Sequence, residues 1–247
     1  MSSEIDPKVR FSGVVAEYAR WRPTYPAQAI DWLLRGVPHG GRAVDLGCGT
    51  GIASRLLSAR GLQVVGIDPN ENMLARARAE GGGPDYRMGE ASNTGLPDRW
   101  ADLACGFQSF HWFDLAAVQL ELRRVLRPGA PCAAVWNVRA PSPLMDEFEA
   151  MLQKSSSDYR ELSSGEDTLA ALKALPGAAG FEMAEFAHEQ PLDREGFWGR
   201  VHSSSYVALG VPDLARFRYE VEELFEKHQK DGRASFSYNT VCLLFRP

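Results

Sequence analysis

The run Asp45-Leu-Gly-Cys-Gly-Thr-Gly51 sets three glycines at alternate positions behind an acidic residue. Glycine is the residue that lets a backbone turn tightly and come close to a ligand. Further on, Gly66-Ile-Asp68-Pro carries a carboxylate 21 positions after Gly47, where an acid ending the second strand can accept both hydroxyls of a ribose. The pair points to a ligand that contains adenosine. A dinucleotide loop needs Gly-x-Gly-x-x-Gly, whereas Gly47, Gly49 and Gly51 run Gly-x-Gly-x-Gly and Ile52 stands at the third dinucleotide position. Asp45, expected at the mouth of the loop, opposes a pyrophosphate and favours the ammonium and sulfonium groups of S-adenosylmethionine (SAM). SAM therefore fits better than a nicotinamide cofactor, with Cys48 and Thr50 completing the loop. A strand-to-helix turn without any ligand is the bland alternative, and Asp68 weighs against it.

Two further stretches carry reactive side chains. Gln108, Ser109, His111 and Trp112 follow an apolar run that reads as the fourth strand, at the edge where open α/β sheets place their ligands. Methyl transfer from a sulfonium is an in-line displacement, governed by orientation and exclusion of water, and it needs a base only when the acceptor must lose a proton. His111 is the candidate base; packing against the adenosine is its equal alternative. Near the start, Tyr18, Arg20, Trp21, Arg22 and Tyr25 form an aromatic and basic arm whose rings can attract a sulfonium and whose arginines can hold an anionic acceptor. A packed arm without ligand contacts is the simpler reading.

Elements that would position these residues are visible in the pattern. From about Arg42 to Val138, short β-branched runs alternate with helical periodicity, the signature of a parallel sheet built from βαβ units. Strands are expected at Ala43–Gly47, Leu62–Ile67, near Tyr86–Met88, at Asp102–Phe107 and at Cys132–Trp136. Helices fall at Ile52–Arg60, after an Asn70 N-cap until the Gly81–Pro84 break, and over Leu115–Val125 until Arg127-Pro-Gly129. The polar stretch Lys154–Ser164 reads as a surface excursion. A strand over Phe181–His188, a helix marked by Leu214, Phe217, Val221, Leu224 and Phe225, and a strand over Phe236–Phe245 close the chain.

The chain has 247 residues, 45% of them hydrophobic, which suits one α/β domain. Lys and Arg number 27 against 32 Asp and Glu, a net charge of -5, so nucleic acid would meet an unfavourable field and is not an expected partner. Cys48, Cys105, Cys132 and Cys242 form no Cys-x-x-Cys pair, and His39, His188, His202 and His228 lack ligand spacing, so no metal is expected. No leader or membrane span is evident, and the expected location is cytoplasmic. Pro131-Cys132 starts a strand and reads as core, and no Asn/Asp-Pro-Pro-Tyr sequence is present.

The glycine motif, Asp68 and Leu126-Arg-Pro-Gly129 together resemble the class I SAM-dependent methyltransferases over about residues 42–138. Tyr18-Ala-Arg-Trp-Arg-Pro-Thr-Tyr-Pro26 and Phe107-Gln-Ser-Phe-His-Trp-Phe113 resemble the methyltransferase-11 subgroup of small-molecule enzymes, including the trans-aconitate methyltransferase-like members. The resemblance implies that Gly47, Gly49 and Gly51 hold the methionine part, Asp68 the ribose, and Pro69, Asn70 and Met73 the adenosine rim. It assigns Gly89, Glu90 and Ala91 to the adenine; many members carry Asp where this chain has Glu90. The expected fold is a doubly wound, mostly parallel, seven-stranded Rossmann-like α/β sheet with an antiparallel C-terminal strand. It forms a single domain over 1–247, with a small helical cap near 1–27 and 154–212. The expected activity is methyl transfer to oxygen, nitrogen or a carboxylate of a small molecule, in specialised metabolism. A non-catalytic SAM-binding protein and a methyltransferase acting on protein or nucleic acid are the rivals.

Overall fold

A computed structural model describes residues 20–156, 159 and 166–247. The first expected strand forms as β1 (Arg42–Leu46), and the loop after it leads into helix α2 (Ile52–Ser58), preceded in the chain by α1 (Ala27–Leu33). Next come β2 (Gln63–Asp68), α3 (Glu71–Glu80), β3 (Asp85–Met88), β4 (Leu103–Phe107), a 3-10 turn (Phe110–Trp112), α4 (Leu115–Val125) and β5 (Cys132–Arg139). The second half contributes α5 (Pro143–Ser155), α6 (Glu166–Lys173), β6 (Ala179–Leu192), α7 (Arg194–His202), α8 (Ser205–Ala208), α9 (Leu214–His228) and β7 (Ala234–Arg246).

The seven strands form one sheet in the order β3-β2-β1-β4-β5-β7-β6. Pairs β1/β2, β2/β3, β1/β4 and β4/β5 are parallel. The last strand, β7, inserts antiparallel between β5 and β6. The chain winds outward from β1 to β3, then crosses back to lay β4 on the other side of β1. That reversal leaves a crevice beyond the carboxyl ends of β1 and β4, where open sheets bind ligands.

Alternation along each strand divides the core in two. Val44 and Leu46 join Ile67, Phe110, Leu122 and Phe245 on the face covered by α4 and α6. Ala43, Leu103 and Cys105 join Ile30, Leu33 and Leu57 on the face covered by α1 and α2. A third cluster, with Phe148, Phe197, Phe217, Phe225, Phe236 and Tyr238, ties α5, α7 and α9 to the first half of β7.

Among the described residues this cap includes α7, with Trp21 packed against it, both within the expected stretches 1–27 and 154–212, while residues 1–19 lie outside the described residues. The cap also takes in α5 and α9, whereas Leu169 and Leu172 of α6 belong to the sheet core. Of the stretch expected to be a surface excursion, Ser156 and Tyr159 are buried, and much of the remainder lies outside the described residues.

Local signals explain several boundaries. Asn70 Oδ1 accepts from the N–H groups of Asn72 and Met73 at 3.0 and 3.3 Å, and Asp114 caps α4 in the same way. Ser142 accepts from Met145 N at 3.2 Å, with Pro143 at the first position of α5, an N-terminal signature carried by Ser142-Pro143. Replacing Asn70 by Ala should cost about 1 kcal/mol of stability. Urea unfolding would show it as a lower midpoint with an unchanged slope, and an unchanged midpoint would deny the cap its role.

Candidate active site

The loop between β1 and α2 is pinned to the end of β2. Gly47 and Cys48 both donate their N–H to the Ile67 carbonyl, at 2.8 and 3.1 Å, and Gly51 N donates to the Cys48 carbonyl at 2.9 Å. Asp68 completes the attachment: Oδ2 accepts from Gly49 N at 2.8 Å and Oδ1 from Asn70 N at 2.9 Å. Burial raises the pKa of Asp68, and those two N–H groups act against the rise. Each carboxylate oxygen keeps a second acceptor site, so the side chain that fixes the loop can still receive hydroxyls.

Two of the glycines have different reasons to be glycine. Gly47 has φ +66°, and a Cβ there would lie 2.8 Å from the Ser109 Cβ, so a side chain would push apart the ends of β1 and β4. Gly49 has φ +53°, and a Cβ there would meet nothing within 4 Å. The loop thus closes at Gly47 and presents a bare, open backbone at Gly49, next to Asp68.

Asp45 lies inside, against α2, rather than at the open mouth of the loop. Strand alternation turns it to the face of Ala43, where Ser54 Oγ donates to it at 2.5 Å and 1% of the residue is exposed. Desolvation pushes its pKa up to about 7; the bond from Ser54 opposes this and the nearby Asp68 charge adds to it. Thr50 and Cys48 are buried within the loop, and desolvation raises the Cys48 thiol far above its ordinary range.

The segment after β4 is held as tightly. Ser109 Oγ donates to the Leu46 carbonyl at 2.7 Å, stitching the ends of β1 and β4 together. Gln108 takes φ +55°, uncommon for a residue with a side chain. Its N–H donates to Val135 O at 2.8 Å and its Nε2 to Asn137 O at 3.0 Å. Phe110 is buried beneath, while His111 and Trp112 keep exposed surface with ring centroids 4.8 Å apart. Crowding desolvates the His111 imidazole and lowers its pKa to about 4, which leaves a neutral ring at pH 7. On the other side of the loop, Met73 and Ala91 are buried, Pro69 and Glu90 are exposed, and Gly89 N donates to the Asp68 carbonyl at 3.3 Å.

The described part of the arm is docked. Trp21 fills the space left by Gly196 and Gly199 of α7, and its carbonyl accepts from Gln190 Nε2 at 2.9 Å. Arg20 stacks over Trp21 and pairs with Glu195 at 2.9 Å on the surface, so its charge is spent on α7. Tyr25 is buried edge-on against Phe107, with centroids 4.8 Å apart, and Thr24 O accepts from Asn137 Nδ2 at 3.0 Å. The structure therefore brings Tyr25 to the end of β4 and carries Arg20 and Trp21 toward the cap. Tyr18 lies outside the described residues. Asn137 and Arg139 join this edge as well, and their signal in the sequence is Trp136-Asn-Val-Arg139, polar residues at the carboxyl end of an apolar strand.

A seven-stranded sheet with β7 inserted antiparallel, a Gly-x-Gly-x-Gly loop after β1 and an acid ending β2 define the class I methyltransferase architecture. The family model described as "Methyltransferase domain" matches residues 44–134. The "Uncharacterized methyltransferase C25B8.09" of Schizosaccharomyces pombe is 32% identical over 243 residues, 94% of each chain. The "Uncharacterized methyltransferase Rv3342" of Mycobacterium tuberculosis is 41% identical over 137 residues, so the match spans 56% of that relative's length and of this chain. A solved methyltransferase-type structure from Anaeromyxobacter dehalogenans superposes with a TM-score of 0.70 at 27% identity, covering 91% of this chain and 96% of that one. The chain belongs to the SAM-dependent methyltransferase family.

Among the described residues no cluster of His, Cys, Asp or Glu could hold a metal, and no helix is long and apolar enough to cross a membrane. The four cysteines are unpaired and buried.

The raised pKa of Asp45 has a consequence for stability. A buried acid with a pKa of about 7 in the folded chain against 3.8 for the ordinary group stabilises the fold fully below the lower value. That contribution is lost as pH rises through the higher one. Asp45→Asn keeps an acceptor for Ser54 and removes the titration. Between pH 5 and pH 8 the urea midpoint of the native chain should fall more than that of the variant, and parallel curves would show that Asp45 does not titrate there.

Proposed function

We propose that this chain transfers the methyl group of SAM to oxygen, nitrogen or a carboxylate of a small-molecule acceptor. One observation carries the reading: the open backbone at Gly49, beside a carboxylate that has acceptor sites to spare. A ligand with a ribose and an extended amino-acid arm suits that combination. Gly47, Gly49 and Gly51, with Cys48 and Thr50, form the loop for the methionine part, and Asp68 takes the ribose. Pro69, Asn70, Met73, Gly89, Glu90 and Ala91 border the adenosine, and Gln108 and Ser109 shape the floor after β4. When bound, SAM would supply an electrophilic methyl group on a sulfonium whose leaving group is a neutral thioether.

The protein's own part is placement and exclusion of water. Tyr25 and Phe107 wall the crevice, and His111 and Trp112 stand at its rim. A neutral imidazole at His111 can accept a proton without first losing one of its own, and because its lowered pKa makes it a weak base it suits a hydroxyl whose proton leaves as the new bond forms. Asp45 adds negative charge behind the loop, where an incoming sulfonium and ammonium would favour its ionised form. SAM affinity should then rise with pH through about 7, and Asp45→Asn should lose that dependence.

Support for a small acceptor comes from the net charge of -5, poorly suited to a polyanion. Unpaired cysteines suit a cytoplasmic setting, and specialised metabolism is the context we propose.

Three measurements test the reading. Asp68→Ala should weaken SAM by about 1.5–3 kcal/mol, the scale for losing hydrogen bonds to a charged group, and calorimetry showing equal affinity would remove Asp68 from the site. Gly49→Val should abolish SAM binding while circular dichroism and the unfolding midpoint show a folded chain, since the branched side chain enters the open space; a folded variant that still binds tightly would refute the placement. His111→Ala should lower kcat by about 10²–10⁴-fold at unchanged SAM affinity if the imidazole is the base. With its pKa lowered toward 4, the native rate should show no inflection near pH 6.5. Weakened SAM with an intact rate at saturation would instead make His111 an adenosine contact. A chain that binds SAM and methylates no acceptor would be a binding protein.

A further inference from the structure

Among the described residues, the cap gathers three arginines and one carboxylate at the carboxyl end of β5. Arg200, on α7, is 6% exposed; its Nε donates to Tyr238 Oη at 2.8 Å and its Nη1 to Ser204 Oγ at 3.1 Å. Its guanidinium also lies over the rings of Phe236 and Tyr238, at 5.5 and 5.8 Å. No carboxylate among the described residues pairs with it. Arg139, the last residue of β5, sits directly across the ladder from Tyr238. It reaches Tyr206 Oη at 3.5 Å, also bonds Tyr159 Oη, and pairs with Glu149 at 3.0 Å. Arg22, from the arm, donates to Ser203 O at 3.3 Å. Three guanidinium groups thus approach one another around Tyr206, and among the described residues Glu149 is the carboxylate paired with Arg139.

A guanidinium removed from water is costly unless an anion or a full set of acceptors compensates it. Tyr and Ser hydroxyls supply two neutral acceptors to Arg200, whose five donors suit a forked oxyanion. Tyr206 reports the local field: burial alone would raise its phenol, yet the charges of Arg139 and Arg200 lower it. The cluster also lies at the carboxyl end of β5, next to the segment that follows β4. Arg139 is two residues beyond Asn137, whose carbonyl holds the Gln108 side chain at the end of β4, so cation and cofactor loop share one edge of the sheet.

We propose that Arg200 and Arg139, with Tyr206 between them, form an oxyanion pocket that anchors the methyl acceptor through a carboxylate or phosphate group. The inference rests on the methyltransferase reading above, in which this edge faces the acceptor. It predicts that acceptors are anionic, that the anion docks against the cap, and that neutral analogues are poor substrates even when their nucleophilic atom is unchanged.

The test uses the full chain and simple anions. At constant ionic strength, melting temperature is followed against malonate, inorganic phosphate and chloride, and SAM affinity is measured in parallel by calorimetry. Saturable stabilisation by malonate or by phosphate, above chloride, is expected, and whichever is effective identifies carboxylate or phosphate as the docking group. In Arg200→Gln and in Arg139→Gln the midpoint concentration of that anion should rise at least tenfold while SAM affinity stays within twofold. Arg200→Lys, which keeps the charge and loses the fork, provides a folded comparison if Arg200→Gln fails to fold, and should also weaken the anion. Malonate and phosphate behaving as chloride, or variants that respond as the native chain does, would overturn the pocket and make Arg200 a purely structural residue. Loss of SAM binding in the native chain would overturn the underlying methyltransferase reading instead, so the two failures are told apart.

Discussion

Two carbonyl bonds and one carboxylate at the end of β2 hold the whole site in place. Gly47 and Cys48 hang from the Ile67 carbonyl, and Asp68 grips Gly49 and Asn70. The same residue that would read a ribose therefore also fixes the backbone that would receive the rest of the ligand. Such double use makes the site stiff, because the loop cannot shift without breaking a bond to a buried charged group. It also explains why an acid, and not an amide, suits position 68: both neighbours that it holds are N–H donors.

Around that attachment the sheet's reversal does the rest. Laying β4 beside β1 opens a crevice that neither strand alone could form. Ser109 then closes its base by bonding the Leu46 carbonyl, while Gln108 accepts a left-handed backbone to reach Val135 and Asn137. A side chain held at positive φ costs free energy that its surroundings must offset, and here two bonds to β5 do so. The outcome is a floor of fixed hydrogen bonds under a rim carrying His111 and Trp112.

The cap contributes chemistry of another kind. Its aromatic cluster is anchored by Phe148, Phe197 and Phe236, and Trp21 locks the arm onto it through the bare faces of Gly196 and Gly199. With the arm fixed, Arg22, Arg139 and Arg200 come together from three distant parts of the chain. An acidic protein thereby presents a local cationic site, which its net charge conceals.

The sheet was legible because its signals are local. The apolar run Ala43–Leu46, the Asn70 cap, and the stops at Gly81 and Arg127-Pro-Gly129 each act within a few residues, and the structure has an element edge at each. The glycine spacing pointed to a loop of close backbone approach and Asp68 to a carboxylate beside it, and the structure sets the two together. Other features depended on partners far away in sequence. Nothing near Asp45 in the chain turns it toward Ser54, nothing near Arg20 foretells Glu195, and α6 joins the sheet core while α5 and α9 complete the cap. Arg139 and Arg200 lie 61 positions apart and meet through Tyr238 and Tyr206 after β7 has inserted beside β5. Short-range sterics and periodicity were written in the sequence; burial, charge pairing and the side on which each residue faces its ligand were settled when the strands and helices packed.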